Sequence, residues 1–216
     1  MEIFRERLFY YRGYSQALFF LGLLIYLWYF PPSEFFEGTW IDVWMDVIGI
    51  GSQLLGELLR IWAISHAGQH TRSRRLKAPV LVTTGPYACT RNPIYAGNFL
   101  IGLGLTVLSE ALVFIPIFCA AFFLQYRAII GAEENFLAEK FGAEYANYTG
   151  EVPRWFPTVR GIPQSLTPGS RFFLEELGTA WGIIVGSFFI EWIESPVARV
   201  WLSGLCRSVA GVANWG

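Results

Sequence analysis

Along this chain, long charge-free runs alternate with short, densely charged segments. Residues 13–33 carry no charge, and at about 1.5 Å per residue such a run crosses a hydrocarbon core about 30 Å thick, which predicts a first membrane-spanning helix. Residues 40–64 predict a second. Gln53, Glu57 and Arg60 stand inside it at i+4 and i+3 steps and so share one helical face. Ionisable groups within a span are costly unless paired. Glu57 and Arg60 are therefore expected to pair or to face a polar cavity, either as a structural pair near the helix end or in a substrate or cofactor role. Residues 94–109 and 111–126 are charge-free and separated only by Glu110, which predicts a helical hairpin. Pro116 is placed to kink its second arm, and Gly97, Gly102 and Gly104 permit close helix contact. A polar region, 131–171, contains Pro153, Pro157, Pro163 and Pro168, and an apolar helix is expected next over 172–192. The last stretch, 197–215, holds Arg199 and Arg207 and reads as an interfacial helix or a poor final span.

Composition supports this pattern. Of all residues 54% are apolar and 15% charged, too few charges to coat a soluble globule, so the surplus apolar surface must face lipid. The expected fold class is all-α, a polytopic membrane bundle of about five spanning helices, with residues 1–216 forming one membrane domain. Arg72, Arg74, Arg75, Lys77 and Arg91 crowd one loop, whereas Glu34, Glu37 and Asp42 occupy the loop before the second helix. Positive residues stay inside. The N-terminus and both polar segments are thus expected on the cytoplasmic face of a cell inner membrane. Arg5, Arg7 and Arg12 precede the first apolar run without a credible cleavage site, so that run is expected to be retained as an anchor.

Charge and cysteine usage narrow the chemistry. A net charge of −1 offers nothing to nucleic acid. Cys89, Cys119 and Cys206 lack CxxC or Cys/His spacing, and His66 and His70, though i, i+4 apart, have no HExxH motif, so no metal site is expected. Gly178, Gly182 and Gly186 recur at i+4, a spacing that permits but does not establish an oligomer contact.

Two segments expected on one side carry unusual patterns. One, 66–95, carries the run LVTTGPYACTRNPIYAGN, which extends to Asn98; the other, 133–157, reads EENFLAEKFGAEYANYTGEVPRWFP. In LVTxGxYxxxRxPxY, followed by an acidic pair, FGxEYxxY and VPxxxP, the chain resembles the isoprenylcysteine carboxyl methyltransferases and the related phospholipid methyltransferases. The resemblance covers 66–157, which becomes the expected core, with 158–216 as a C-terminal extension. It implies S-adenosylmethionine as cofactor, a cytoplasmic cofactor-binding cap, and a lipophilic acceptor or membrane lipid entering from the bilayer. It also implies cofactor contacts from Gln69, Val80, Leu81, Val82, Tyr87, Arg91, Asn92, Pro93, Ile94, Tyr95 and Glu133, with 80–82 strand-like. Each residue has a plainer role open to it: Gly85-Pro86 is a common turn, Tyr87 and Tyr95 suit an interfacial belt, and Arg91 suits positive-inside topology.

The chain departs from that pattern. Asn92 stands where the eukaryotic members typically carry histidine, the link from Gln69 is longer, and the family's substrate-contacting arginine falls on Ile129, with Arg127 two residues earlier. Methyl transfer to a carboxylate or thiolate needs no general base, whereas an ammonium acceptor must lose a proton, for which Glu134, His66 and His70 are candidates. Glu134, Arg127 and His66 are thus the candidate catalytic residues. Two other readings stand beside this one: a sterol-reductase-like oxidoreductase, with the basic run at 72–77 holding the 2′-phosphate of NADPH, and a non-catalytic membrane scaffold.

Overall fold

A computed structural model describes residues 12–30, 39–68 and 78–157, together with positions 178, 182, 185–187 and 189. Among the described residues there is helix but no strand. The helices are α1 (Arg12–Tyr29), α2 (Trp40–Ala67), α3 (Pro93–Leu108), α4 (Phe114–Phe141) and α5 (Ala143–Glu151), with a 3-10 turn at Gly85–Ala88 before α3. Gln69, His70 and the basic run at 72–77 fall outside the described residues, as do most of 158–216.

Two helices, α2 and α4, are long and apolar enough to cross a membrane, while Ala17–Tyr29 and α3 are shorter apolar helices. Trp44, Val47, Ile48, Leu54, Leu55 and Leu58 on α2 are all more than half exposed. In water each such side chain would forfeit about 1.5–3 kcal/mol of burial; facing acyl chains, it forfeits nothing. The protein is a membrane helical bundle.

Helix α2 begins at Thr39, whose hydroxyl accepts from the Asp42 amide, and it ends at Gly68, whose positive φ of 74° a side chain would strain. Its expected polar face is real. Arg60 Nε lies 3.4 Å from Glu57 Oε2, and Gln53 and Glu57 are both buried. That face meets α3 along a seam of small residues. The helices are antiparallel, with Gly49 opposite Gly104 and Gly56 opposite Gly97, so the backbones come close enough for Ser52 to donate to the Leu100 carbonyl at 2.8 Å.

The hairpin turns at Glu110, in the left-handed region at φ 49°. Its second arm differs from expectation in two ways. Pro116 lies in the first turn of α4, where its missing N–H has no helical partner to lose, so it need not bend the helix. The helix also continues past the apolar stretch to Phe141, so Arg127, Glu133 and Glu134 all sit on it. Charge ends a membrane span but not a helix; the end comes at Gly142, at φ 52°. At about 1.5 Å per residue α4 is about 42 Å long, which exceeds a hydrocarbon core and lifts its last turns beyond it. An aromatic cluster of Phe99, Phe118, Phe122, Tyr95 and Tyr126 joins α3 to α4, with Phe122 and Tyr126 stacked at 4.1 Å.

Candidate active site

The polar site forms where α3 begins, because there the chain brings the 81–92 segment, the last turns of α4, and the residues after α5 to one place. Residues 80–82, strand-like by the resemblance, are a bend and irregular chain. Leu81 is buried against Tyr145, Tyr148 and Val152, whereas Val80 is exposed. Leu81 thus anchors the segment, and its neighbours keep backbone groups available to a ligand. Gly85 takes φ 63°. It packs so closely on the His66 ring that a Cβ there would lie 2.5 Å from it. His66 Nδ1 is 3.0 Å from the Trp62 carbonyl, so this histidine ties the end of α2 to the GPY turn.

Tyr87 is partly buried, and its carbonyl accepts from the Tyr148 hydroxyl at 2.7 Å. Burial first, and then the nearby charge of Glu133, push the Tyr87 hydroxyl well above its ordinary pKa. Tyr148 is pushed up as well, chiefly by burial and then by Tyr145. Asn92 precedes α3 without a side-chain cap bond to it, and Pro93 occupies the first helical turn. One turn into α3, the Tyr95 hydroxyl donates to Glu133 Oε1 at 2.6 Å. Ile94 lies beside it, half-buried.

A strap made of residues 153–155 closes this end. Arg91 N–H donates to the Pro153 carbonyl at 3.0 Å and Asn92 Nδ2 to the Arg154 carbonyl at 3.0 Å, while the Thr90 hydroxyl lies 3.2 Å from the carbonyls of Arg154 and Trp155. Beneath the strap, Glu134 is held by two guanidiniums. Arg91 Nη1 lies 3.1 Å from Glu134 Oε1, and Arg154 grips both oxygens, with Nε at 3.0 Å. Trp155 packs edge-on against Phe123 at 5.5 Å.

The structure therefore brings together Tyr87, Arg91, Asn92, Pro93, Tyr95, Glu133 and Glu134. It does not bring Arg127 to them. Arg127 is exposed, and Ile129, two residues and about 200° further around α4, is fully buried. Thr90, Asn98, Tyr126, Tyr148 and Arg154 belong to the same polar assembly without having been singled out. For Asn98 the signal was present: it is an amide in an otherwise apolar helix.

The donor set suits S-adenosylmethionine. A carboxylate is held at a helix end for hydroxyl or ammonium groups, and exposed backbone lies beside tyrosines for a flat base. Arg91 Nε, buried without a partner among the described residues, remains for an anionic group. Among those residues no three His, Cys, Asp or Glu side chains gather as metal ligands.

Helical membrane bundles with such a polar end include a class of membrane methyltransferases, and comparison with known proteins places the chain there. A family profile described as phospholipid methyltransferase matches residues 44–144. The chain is 31% identical to the cobalt-zinc-cadmium resistance protein CzcN of Cupriavidus metallidurans, over 78% of its own length and 67% of the relative's. It is 30% identical to protein-S-isoprenylcysteine O-methyltransferase B of Arabidopsis thaliana, over 63% of this chain and 72% of that one. With the protein-S-isoprenylcysteine O-methyltransferase of Tribolium castaneum it shares 31% identity over 62% of this chain, and there it spans about half, 49%, of the relative. The chain belongs to the isoprenylcysteine methyltransferase-like family of membrane methyltransferases.

Proposed function

We propose that this protein transfers a methyl group from S-adenosylmethionine to a lipophilic small molecule or lipid that reaches the site from the bilayer, at the cytoplasmic face of the inner membrane. The observation that carries the reading is the Tyr95–Glu133 hydrogen bond at 2.6 Å, which fixes a carboxylate at the water-facing end of an otherwise lipid-facing bundle. The donor contributes an electrophilic methyl on a sulfonium centre. Glu133 accepts from its ribose hydroxyls or ammonium, backbone groups of Val80, Leu81 and Val82 meet the adenine edge, and Tyr87, Asn92, Pro93, Ile94 and Tyr95 line the remainder. Arg91 completes the donor contacts, and Gln69 joins them from the segment after α2. In-line transfer then depends on placing the acceptor atom and excluding water, which the 153–155 strap serves.

Glu134 is engaged by Arg91 and Arg154, and His66 by Trp62 and Gly85. Both are better employed in holding the site together than in accepting a proton. An acceptor that arrives as a carboxylate or thiolate requires neither of them as a base. Arg127, exposed on α4, is placed to meet an anionic headgroup outside the pocket rather than the reacting atom.

Titration calorimetry with S-adenosylmethionine on the purified chain tests the reading. Micromolar-range binding that is lost in Glu133→Ala is expected; a well-folded wild type that ignores the donor, or shifts its melting only with NADPH, overturns it. A labelled-donor assay against total membrane lipid extract then identifies the acceptor by which product gains label.

Similarity to CzcN over 78% of the chain favours a second, compatible reading, a part in metal resistance. On that reading the part runs through methylation by the same donor site. Growth of a deletion strain on cobalt, zinc and cadmium checks it.

A further inference from the structure

We propose that Asn98 is a positioning residue which connects the ion pair inside the membrane to the carboxylate of the donor site. Asn98 stands on α3 between two partners that are far apart in sequence, Arg60 and Tyr126. Its Oδ1 accepts from Arg60 Nη1, the guanidinium that also pairs with Glu57. Its Nδ2 donates to the Tyr126 hydroxyl at 3.2 Å. The Tyr126 ring is buried, stacks on Phe122 and lies 4.8 Å from the ring of Tyr95, whose hydroxyl holds Glu133. One amide thus ties three helices: Arg60 on α2, its own α3, and Tyr126 on α4.

An amide suits this place because it is both acceptor and donor. The guanidinium has only N–H groups to offer and requires an acceptor, and the phenol oxygen takes the remaining amide proton. Inside a low-dielectric bundle both bonds strengthen, and leaving either end open is costly. A leucine of similar size would pack but would release Tyr126 and strip one acceptor from Arg60. Tyr126 then loses one restraint on its ring, and Tyr95, whose ring leans against it at 57°, loses part of the wall that aims its hydroxyl. The consequence falls on Glu133, which accepts from the Tyr95 hydroxyl.

This inference rests on Glu133 contacting the methyl donor. Its test is calorimetry with S-adenosylmethionine on the full chain in nanodiscs, with thermal unfolding of the same samples. Asn98→Leu and Tyr126→Phe are each expected to weaken the donor about tenfold, the effect of roughly one hydrogen bond, in samples that melt lower but still unfold cooperatively. The double variant is expected to be no worse than either single one, because both cut the same link. Asn98→Asp keeps an acceptor for Arg60 and can accept the Tyr126 proton, so it is expected to restore donor affinity to within about threefold of wild type. Multiplicative losses in the double variant, or wild-type affinity in Asn98→Leu and Tyr126→Phe, overturn the proposal while leaving the methyltransferase reading intact. A folded wild type that binds no donor overturns both.

Discussion

Gly56 on α2 and Gly97 on α3 face each other so closely that a Cβ on either would lie 2.6 Å from the other's carbonyl oxygen. The atom in the way is backbone, which cannot swing aside as a side chain does. Seven residues along each helix, Gly49 meets Gly104 in the same manner. This seam sets the separation of α2 and α3, and so places Arg60 beside Asn98. Gly97→Ala is therefore expected to destabilise the bundle by about 1–3 kcal/mol, as overpacking does. Gly51→Ala, on the same helix with nothing within 4 Å of the new methyl, is expected to cost nothing. Thermal unfolding of the two variants in one detergent checks this; equal melting would dismiss the seam as the spacer.

The Tyr95–Glu133 bond makes a prediction about affinity. Removing the hydroxyl in Tyr95→Phe leaves the ring packed against Tyr126 but takes from the carboxylate one of the bonds that orient it. Hydrogen bonds to charged groups contribute about 1.5–3 kcal/mol, so donor affinity is expected to fall by about 10- to 100-fold. Because the lost group positions and does not react, the turnover rate at saturating donor should fall less than the affinity. Steady-state rates measured over a range of donor concentrations separate the two effects.

Much of this arrangement was legible because apolar length and helical spacing are properties of single segments. The i, i+4, i+3 spacing put Gln53, Glu57 and Arg60 on one face, and Glu57 does pair with Arg60. Gly97, Gly102 and Gly104 read as contact residues, and each lies against a neighbour. Other features depend on what the partner segment supplies. The resemblance implies a strand-like run at 80–82, yet no second strand is offered to it among the described residues, and Leu81 is captured instead by Tyr145 and Tyr148. The strap is fastened through the carbonyls of Pro153, Arg154 and Trp155. Every residue carries such an acceptor, so no side-chain pattern announces it. Arg127 looked interchangeable with position 129 by proximity in sequence, but two steps along a helix turn a side chain to another face.

Glu134 and its two arginines yield a prediction of unequal losses. The side chains of Glu134 and Arg91 are 12% and 16% exposed, whereas that of Arg154 is 43% exposed. Arg154→Ala removes a screened partner and leaves Glu134 still paired with Arg91, so a loss of at most about 1 kcal/mol is expected. Glu134→Ala strands Arg91 in a poorly solvated place with its charge unmatched, and the loss should approach about 3 kcal/mol. Chemical or thermal unfolding of both variants decides it. If Arg154→Ala proves the costlier, the strap is held by that arginine and not by the carboxylate beneath it.

Tyr87, Tyr145 and Tyr148 allow a prediction with pH. Burial is the leading cause in each, and it raises all three hydroxyls above the ordinary value of 10.0. In the folded state these groups hold their protons at a pH where the unfolded chain has begun to release them. The unfolded state therefore binds fewer protons above about pH 10, and stability falls as pH rises. Below that, both states are protonated and these residues add no slope. The melting temperature should thus be indifferent to them between pH 7 and 9 and drop from about pH 10 upward. Tyr148→Phe removes one titrating group along with its bond to the Tyr87 carbonyl. It should lower the melting temperature at neutral pH and flatten the alkaline decline. Melting curves of wild type and variant from about pH 7 to 11 test both halves; a variant with the wild-type alkaline slope would mean that Tyr148 is not among the groups that set it.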